Sequence, residues 1–177
     1  MTTEEAYRRL EELKGALSRF DWEAVRSMCR DIVDDVWRTS APPPAPILKE
    51  MLNQVRRKRQ FVTLERFAEG FLMAGINAPT VRQQYAQTLI EQARFAAAEY
   101  GLRSLLGEPK DSSPYREASG LIGRTNKQIY VDAHGLGPAA CLPFLERAIE
   151  SYGASMTRIG LRTTGTTSMW RRCPPAS

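Results

Sequence analysis

From Thr3 to Tyr152 the apolar residues recur at intervals of three and four, in short stretches cut by proline, glycine or aspartate. Nowhere do they alternate with period two for long enough to make a convincing strand. That pattern permits one solution: amphipathic helices that bury their stripes on one another. Tyr7, Leu10, Leu13 and Leu17 form a first stripe behind Thr3, with Glu4 and Glu5 in the first turn to complement the helix dipole. In "RFDWEAVRSMCRDIVDDVW" Asp21 is placed to cap a second helix, whose stripe is Val25, Met28, Cys29, Ile32, Val36 and Trp37. Two such helices joined by so few residues make an antiparallel hairpin.

The clearest break is "TSAPPPAP" at 39–46, where consecutive prolines favour extended polyproline II geometry. A semi-rigid spacer is the main reading, and a Pro-rich ligand for an SH3-like domain the alternative. Helices resume with Ile47, Leu48, Met51, Leu52 and Val55, closing on "RRKR" at 56–59. From Thr63 the next stripe is Leu64, Phe67, Ala68, Phe71 and Leu72, with Gly75 as its C-terminal cap and Pro79 in the first turn of the following helix. Val81, Tyr85, Ala86, Leu89, Ile90 and Ala93 continue the pattern; after a bend come Phe95, Ala98, Leu102, Leu105 and Leu106, closed by Gly107 and Pro109. Ser113 and Pro114 open another helix carrying Leu121, Ile122, Ile129 and Tyr130. After the loop "HGLGPAA" a last helix places Leu142, Leu145, Ala148 and Ile149 inward. The expected fold is therefore all-α, about eight helices in antiparallel hairpins, with an irregular C-terminal tail. Its expected parts are an N-terminal hairpin over 1–38, a linker over 39–46, helical repeats over 47–152, and a disordered tail over 153–177.

"PTVRQQYAQTLIEQARFAAAEYGLRSLLGEP" resembles a tetratricopeptide repeat, with Tyr85, Ala86 and Leu89 in a first helix and Ala98, Leu102 and Leu105 in a second. Arg82 stands where the family has its typical tryptophan, and Ala93 where it has the bend glycine. Val25 in "FDWEAVRSMCRDI" and Gly123 in "EASGLIGRTNKQIY" fall at positions where the resemblance implies close helix approach. "SPYREASGLIGRTNKQIYVDA" looks like the "EA-GLIGR-YKQ-YV" segment of a divergent bacterial group of such proteins, with Asn126 in place of the usual aromatic. "RRKRQFVTLERFAEGFLMAG" and "VRQQYAQTLIEQ" fit the same group. More distantly the segment resembles the helical TRAF-binding regions of stress-kinase kinases. The likeness spans roughly 47–152. It implies a TPR-like solenoid acting as a protein–protein interaction scaffold, in a group some of whose members adjoin or are fused to proteases and signalling modules. The alternative is a regulatory module of a protease, hydrolase or signalling protein whose catalytic part lies elsewhere.

Helical arrays of this kind bind along the groove lined by their first helices. On that footing Arg82, Gln83, Gln87, Arg124, Lys127 and Gln128 are the candidate partner-binding residues, for a protein or peptide. Ordinary helix surface is the competing reading of each. "RRKR" is the densest charge, yet it sits at a helix C-terminus where the dipole favours cations. With 25 basic residues interspersed among 20 acidic ones, the net charge of +5 does not argue for nucleic acid. His134 is the only histidine and sits two residues after Asp132; a dyad with Cys29 or Cys141 lacks any surrounding motif. Asp34 and Asp35 diverge on a helix and form no acid–base pair. Three widely spaced cysteines fit neither a zinc site nor a disulfide framework. No catalytic residue, cofactor or metal is expected. A charged N-terminus and the lack of any long apolar run lead to the expectation of a cytoplasmic chain without a membrane partner.

After Tyr152 the period vanishes in "GASMTRIGLRTTGTTSMWRRC". Read one base out of register, with permitted synonymous codons, this becomes "REHDPDRPADYWHDINVAAL"; the Met156–Thr157 junction is fixed as Asp and the Met169–Trp170 junction as Val. The shifted string resembles the "DP…WHGINVVALL" continuation of the same group. The expectation is a frameshift near codon 152 and a truncated protein. It carries a corollary: self-association through an uncovered last helix.

Overall fold

The computed structural model describes residues 1–133, 135 and 137–156. Among them are eight α-helices and no strand: α1 (Thr3–Ser18), α2 (Trp22–Thr39), α3 (Ala45–Arg57), α4 (Phe61–Met73), α5 (Pro79–Glu91), α6 (Phe95–Arg103), α7 (Ser113–Asp132) and α8 (Pro138–Met156). A 3₁₀ turn, Ser104–Gly107, extends α6. The last helix continues four residues past the boundary at 152. The tail beyond 156, and with it most of the frameshift reading, lies outside the described residues, as does His134.

The helix starts follow local chemistry, and two of the caps fall one residue earlier than the sequence pattern placed them. Thr2 rather than Thr3 caps α1, and Ser112 rather than Ser113 caps α7, its Oγ accepting from the Tyr115 N–H at 3.3 Å. Asp21 caps α2 as expected, Oδ1 accepting from Ala24 N–H at 3.0 Å. Proline sits in the first turn of α3, α5 and α7, where its missing N–H costs no helical bond. Those three helices begin at Ala45, Pro79 and Ser113, 34 residues apart in both steps.

The helix ends share one device. After α1, α3, α4 and α5 a single residue turns left-handed: Phe20, Arg59, Gly75 and Ala93, with φ of 59°, 57°, 81° and 58°. In each case the following N–H reaches back to a carbonyl in the last turn: Asp21 to Ala16, Gln60 to Val55, Ile76 to Phe71 and Arg94 to Leu89. This is the Schellman closure, and it satisfies carbonyls the helix end would leave orphaned. Three of the four turning residues carry a Cβ, which the left-handed region penalises. Ala93 makes the test clean, because its methyl is its only side chain. Ala93→Gly is expected to raise stability by about 1 kcal/mol, seen as a higher denaturant midpoint; a lower midpoint would refute the strain.

Two clusters of buried side chains form the interior. The first draws on α1 to α4 and includes Leu13, Val25, Ile32, Met51, Leu52, Phe67 and Phe71, with Val81 from α5. All five residues expected in the α3 stripe are buried. This cluster runs straight across the proline-rich stretch. Pro43 is itself buried, Ala45 and Pro46 already belong to α3, and the Met1 ammonium donates to the Ala41 carbonyl at 3.2 Å. The second cluster joins α5, α6, the 3₁₀ turn and α7 through Ala86, Leu89, Ala98, Leu102, Leu105 and Ile122. Tyr85 packs against both.

Several expected core residues are instead exposed: Tyr7, Trp37, Leu106, Leu142 and Ile149. Each stripe is narrower than its apolar residues allow. On α1, for example, Ala6 and Ala16 take the buried line and let neighbouring helices approach, while Tyr7 turns out. On α8 Ala148 is buried as expected, and Cys141 is buried where Leu142 and Ile149 are not.

Candidate functional site

First helices of successive hairpins pack side by side, α1 on α3, α3 on α5 and α5 on α7. This row positions the candidate binding residues. On α5 the buried positions Gln84 and Thr88 lie on one side and Ala86 and Ile90 on another. Between them Gln83, Gln87 and Glu91, four residues apart, form a half-buried polar strip. Glu91 is tied to α7, its Oε1 accepting from Arg124 at 2.8 Å. Gln84 is tied to α3, its Nε2 donating to Asn53 Oδ1 at 3.0 Å.

Of the six candidates, Gln83 and Gln87 lie on this strip, and Arg124 reaches its end through Glu91. Lys127 and Gln128 lie exposed further along α7, Gln128 donating to Asp132 at 2.8 Å. Arg82 turns to the other side of α5 and donates to Ser104 Oγ at 2.7 Å. There it lines a separate open groove with Tyr85, Tyr100 and Ser104, between α5, α6 and the end of α4. Burial foremost, then the nearby Glu69 and Glu65, raises the Tyr85 phenol above its ordinary value. Pattern reasoning missed Gln84, an amide in a core position whose Oε1 has no partner among the described residues. A glutamine one turn from Val81 and Thr88 gives no sequence sign that it faces a neighbouring helix.

The residues of "RRKR" differ in their surroundings. Arg56 is partly buried, Arg57 lies 3.8 Å from Glu50, Lys58 stacks 4.6 Å over the Phe20 ring, and Arg59 sits over Phe61 at 5.9 Å. Three of its four charges each have a neighbouring carboxylate or aromatic ring of their own.

Comparison with family models, curated proteins and solved structures finds no match.

The remaining chemistry is quiet among the described residues. Burial pushes the Cys29 thiol up to about 12, so it stays protonated. The Cys141 thiol faces the Pro138 carbonyl at 3.6 Å. Asp35 is held below the ordinary carboxylate value chiefly by hydrogen bonding from Arg9, with Arg38 adding to it. Among the described residues no cluster of histidine, cysteine and carboxylates could hold a metal, and no helix is long and apolar enough to cross a membrane.

Gly123, which the resemblance set at a close approach, lies against α8. A Cβ there would stand 3.1–3.2 Å from the Tyr152 ring of α8. Asn126, where the resemblance expects an aromatic, is buried; its Nδ2 donates to the Ile122 carbonyl at 3.0 Å, and its Oδ1 has no partner among the described residues.

Proposed function

We propose that this chain is a protein–protein interaction scaffold of TPR-like type, which binds an extended peptide segment along the row formed by α3, α5 and α7. The observation that carries the reading is the side-by-side packing of these first helices, at a 34-residue step, behind a polar strip. That step equals the period of the tetratricopeptide class. The strip offers paired donor and acceptor groups from Gln83 and Gln87, flanked by the Glu91–Arg124 pair and by Lys127 and Gln128. Side-chain amides both donate and accept, so they suit a peptide backbone.

Leu142 and Ile149, exposed on α8, support self-association as a second property of the chain. Binding is therefore measured with both changed to glutamate, and unchanged sedimentation on that replacement would rule self-association out. Peptides selected by display against this background are expected to lose at least tenfold in affinity with the combined change Gln83→Ala, Gln87→Ala and Lys127→Ala. Lys14→Ala on α1 should leave affinity unaltered. Selected peptides that bind the triple variant as tightly as the parent sink the assignment to this face.

A further inference from the structure

The second helices carry a different surface. Between α2 and α4 lies a slot whose floor is Cys29, Val33 and Phe67. Its far end closes where Val33 abuts Gly70. The cavity is about 170 Å³, below the roughly 300–1,000 Å³ of small-molecule sites. It has room for a side chain, with the rest of its ligand lying across the rim.

That rim is cationic. Arg26 and Arg30 stand one turn apart on α2, and Arg66 faces them from α4. Arg8, Arg9, Arg38, Arg57, Arg94, Arg103 and Arg124 all have carboxylate partners. Arg26, Arg30 and Arg66 have none among the described residues, and no carboxylate lines the slot. The first turn of α4 contributes Val62, 58% exposed, and no side chain caps that helix end. Its free N–H groups add to the positive field. The buried Cys29 thiol brings no compensating charge.

We propose that this slot is a second binding site, for an acidic peptide segment that seats one apolar side chain against Val33 and Val62 and sets its flanking carboxylates on Arg26, Arg30 and Arg66. Guanidinium groups match carboxylates in planar, two-point geometry, and the apolar anchor would desolvate those contacts and strengthen them. An acidic peptide fits better than nucleic acid, because the one aromatic lining the slot, Phe67, is only 1% exposed and offers no stacking platform. The site lies on the second helices, so its test is independent of Gln83 and Gln87.

The probe is a fluorescein-labelled decapeptide with one leucine set among aspartates and glutamates, titrated by anisotropy at low and physiological salt. Binding is expected to weaken as salt rises, to fall at least tenfold in Arg26→Glu/Arg30→Glu, and to fall several-fold in Arg66→Gln. Replacing the peptide leucine by alanine should cost at least fivefold. Lys110→Glu/Arg116→Glu has the same net charge as the double α2 variant and should bind like the parent. All these positions are exposed, and circular dichroism verifies that each variant folds. The proposal fails if the matched control loses as much affinity as the α2 variant, or if the leucine proves dispensable. It fails equally if a single-stranded oligonucleotide binds more tightly through the same arginines, or if the peptide does not bind at millimolar concentration.

Discussion

Phe67→Ala is expected to lower stability by about 3–5 kcal/mol, the range for truncating a buried phenylalanine. Phe67 is 1% exposed and stacks against Phe71 with ring centroids 5.0 Å apart, tilted by 54°. Removing the ring deletes that pair and opens a cavity under the α2–α4 slot. The neighbours cannot close it cheaply, because Leu64 and Phe71 are themselves locked in the same cluster. Urea unfolding should show a lower midpoint at unchanged slope. Phe67→Leu, which keeps most of the volume, should lose markedly less. A loss under about 1 kcal/mol for the alanine variant would mean that α4 does not pack as described.

Gly70→Ala is expected to destabilise, against the ordinary rule. In an exposed helix interior that change gains about 0.8–1 kcal/mol through propensity. Here a Cβ would stand 2.6 and 2.9 Å from the two methyl carbons of Val33 and 3.3 Å from its Cβ. Valine is β-branched and has little rotamer freedom in a helix, so α2 must shift. Overpacking typically costs about 1–3 kcal/mol, leaving a net loss of up to about 2 kcal/mol once the propensity gain is subtracted. The double variant Gly70→Ala/Val33→Ala isolates the contact: Gly70→Ala should cost far less on the Val33→Ala background than on the parent. Equal costs on both backgrounds would mean that the two residues do not meet.

The fold was legible wherever burial follows local pattern. In α3, Ile47, Leu48, Met51, Leu52 and Val55 leave one phase for the stripe, and all are buried. The pattern overreached where a stripe is wider than the face that neighbours cover, as with Tyr7 and Trp37. On α8 it was half right: Ala148 is buried as expected and Leu145 half-buried, but Cys141 takes the contact expected of Leu142 and Ile149. Gly123 was expected at a close approach and a Cβ there would meet the Tyr152 ring, whereas Gly70 was not singled out. A helical glycine says nothing about what stands opposite it. The arginine slot was invisible for a related reason. Arg26 and Arg30 belong to one hairpin and Arg66 to the next, so their convergence exists only after folding. Charge density along the chain pointed to 56–59, where three of the four side chains have neighbours of their own.

The three left-handed bends at Phe20, Arg59 and Ala93 also bear on how the chain reaches its fold. Each joins the helices of one hairpin through three residues, 19–21, 58–60 and 92–94. Loop-closure entropy grows with the length of chain enclosed, so these connections are among the least demanding a helical pair can have. Helix partners within a hairpin are neighbours in sequence and meet early. The joints between hairpins are longer, 40–44 and 74–78, and Tyr85 packs against the clusters on both sides of the second. Continuity of the array thus resides less in the helices than in the surfaces between hairpins.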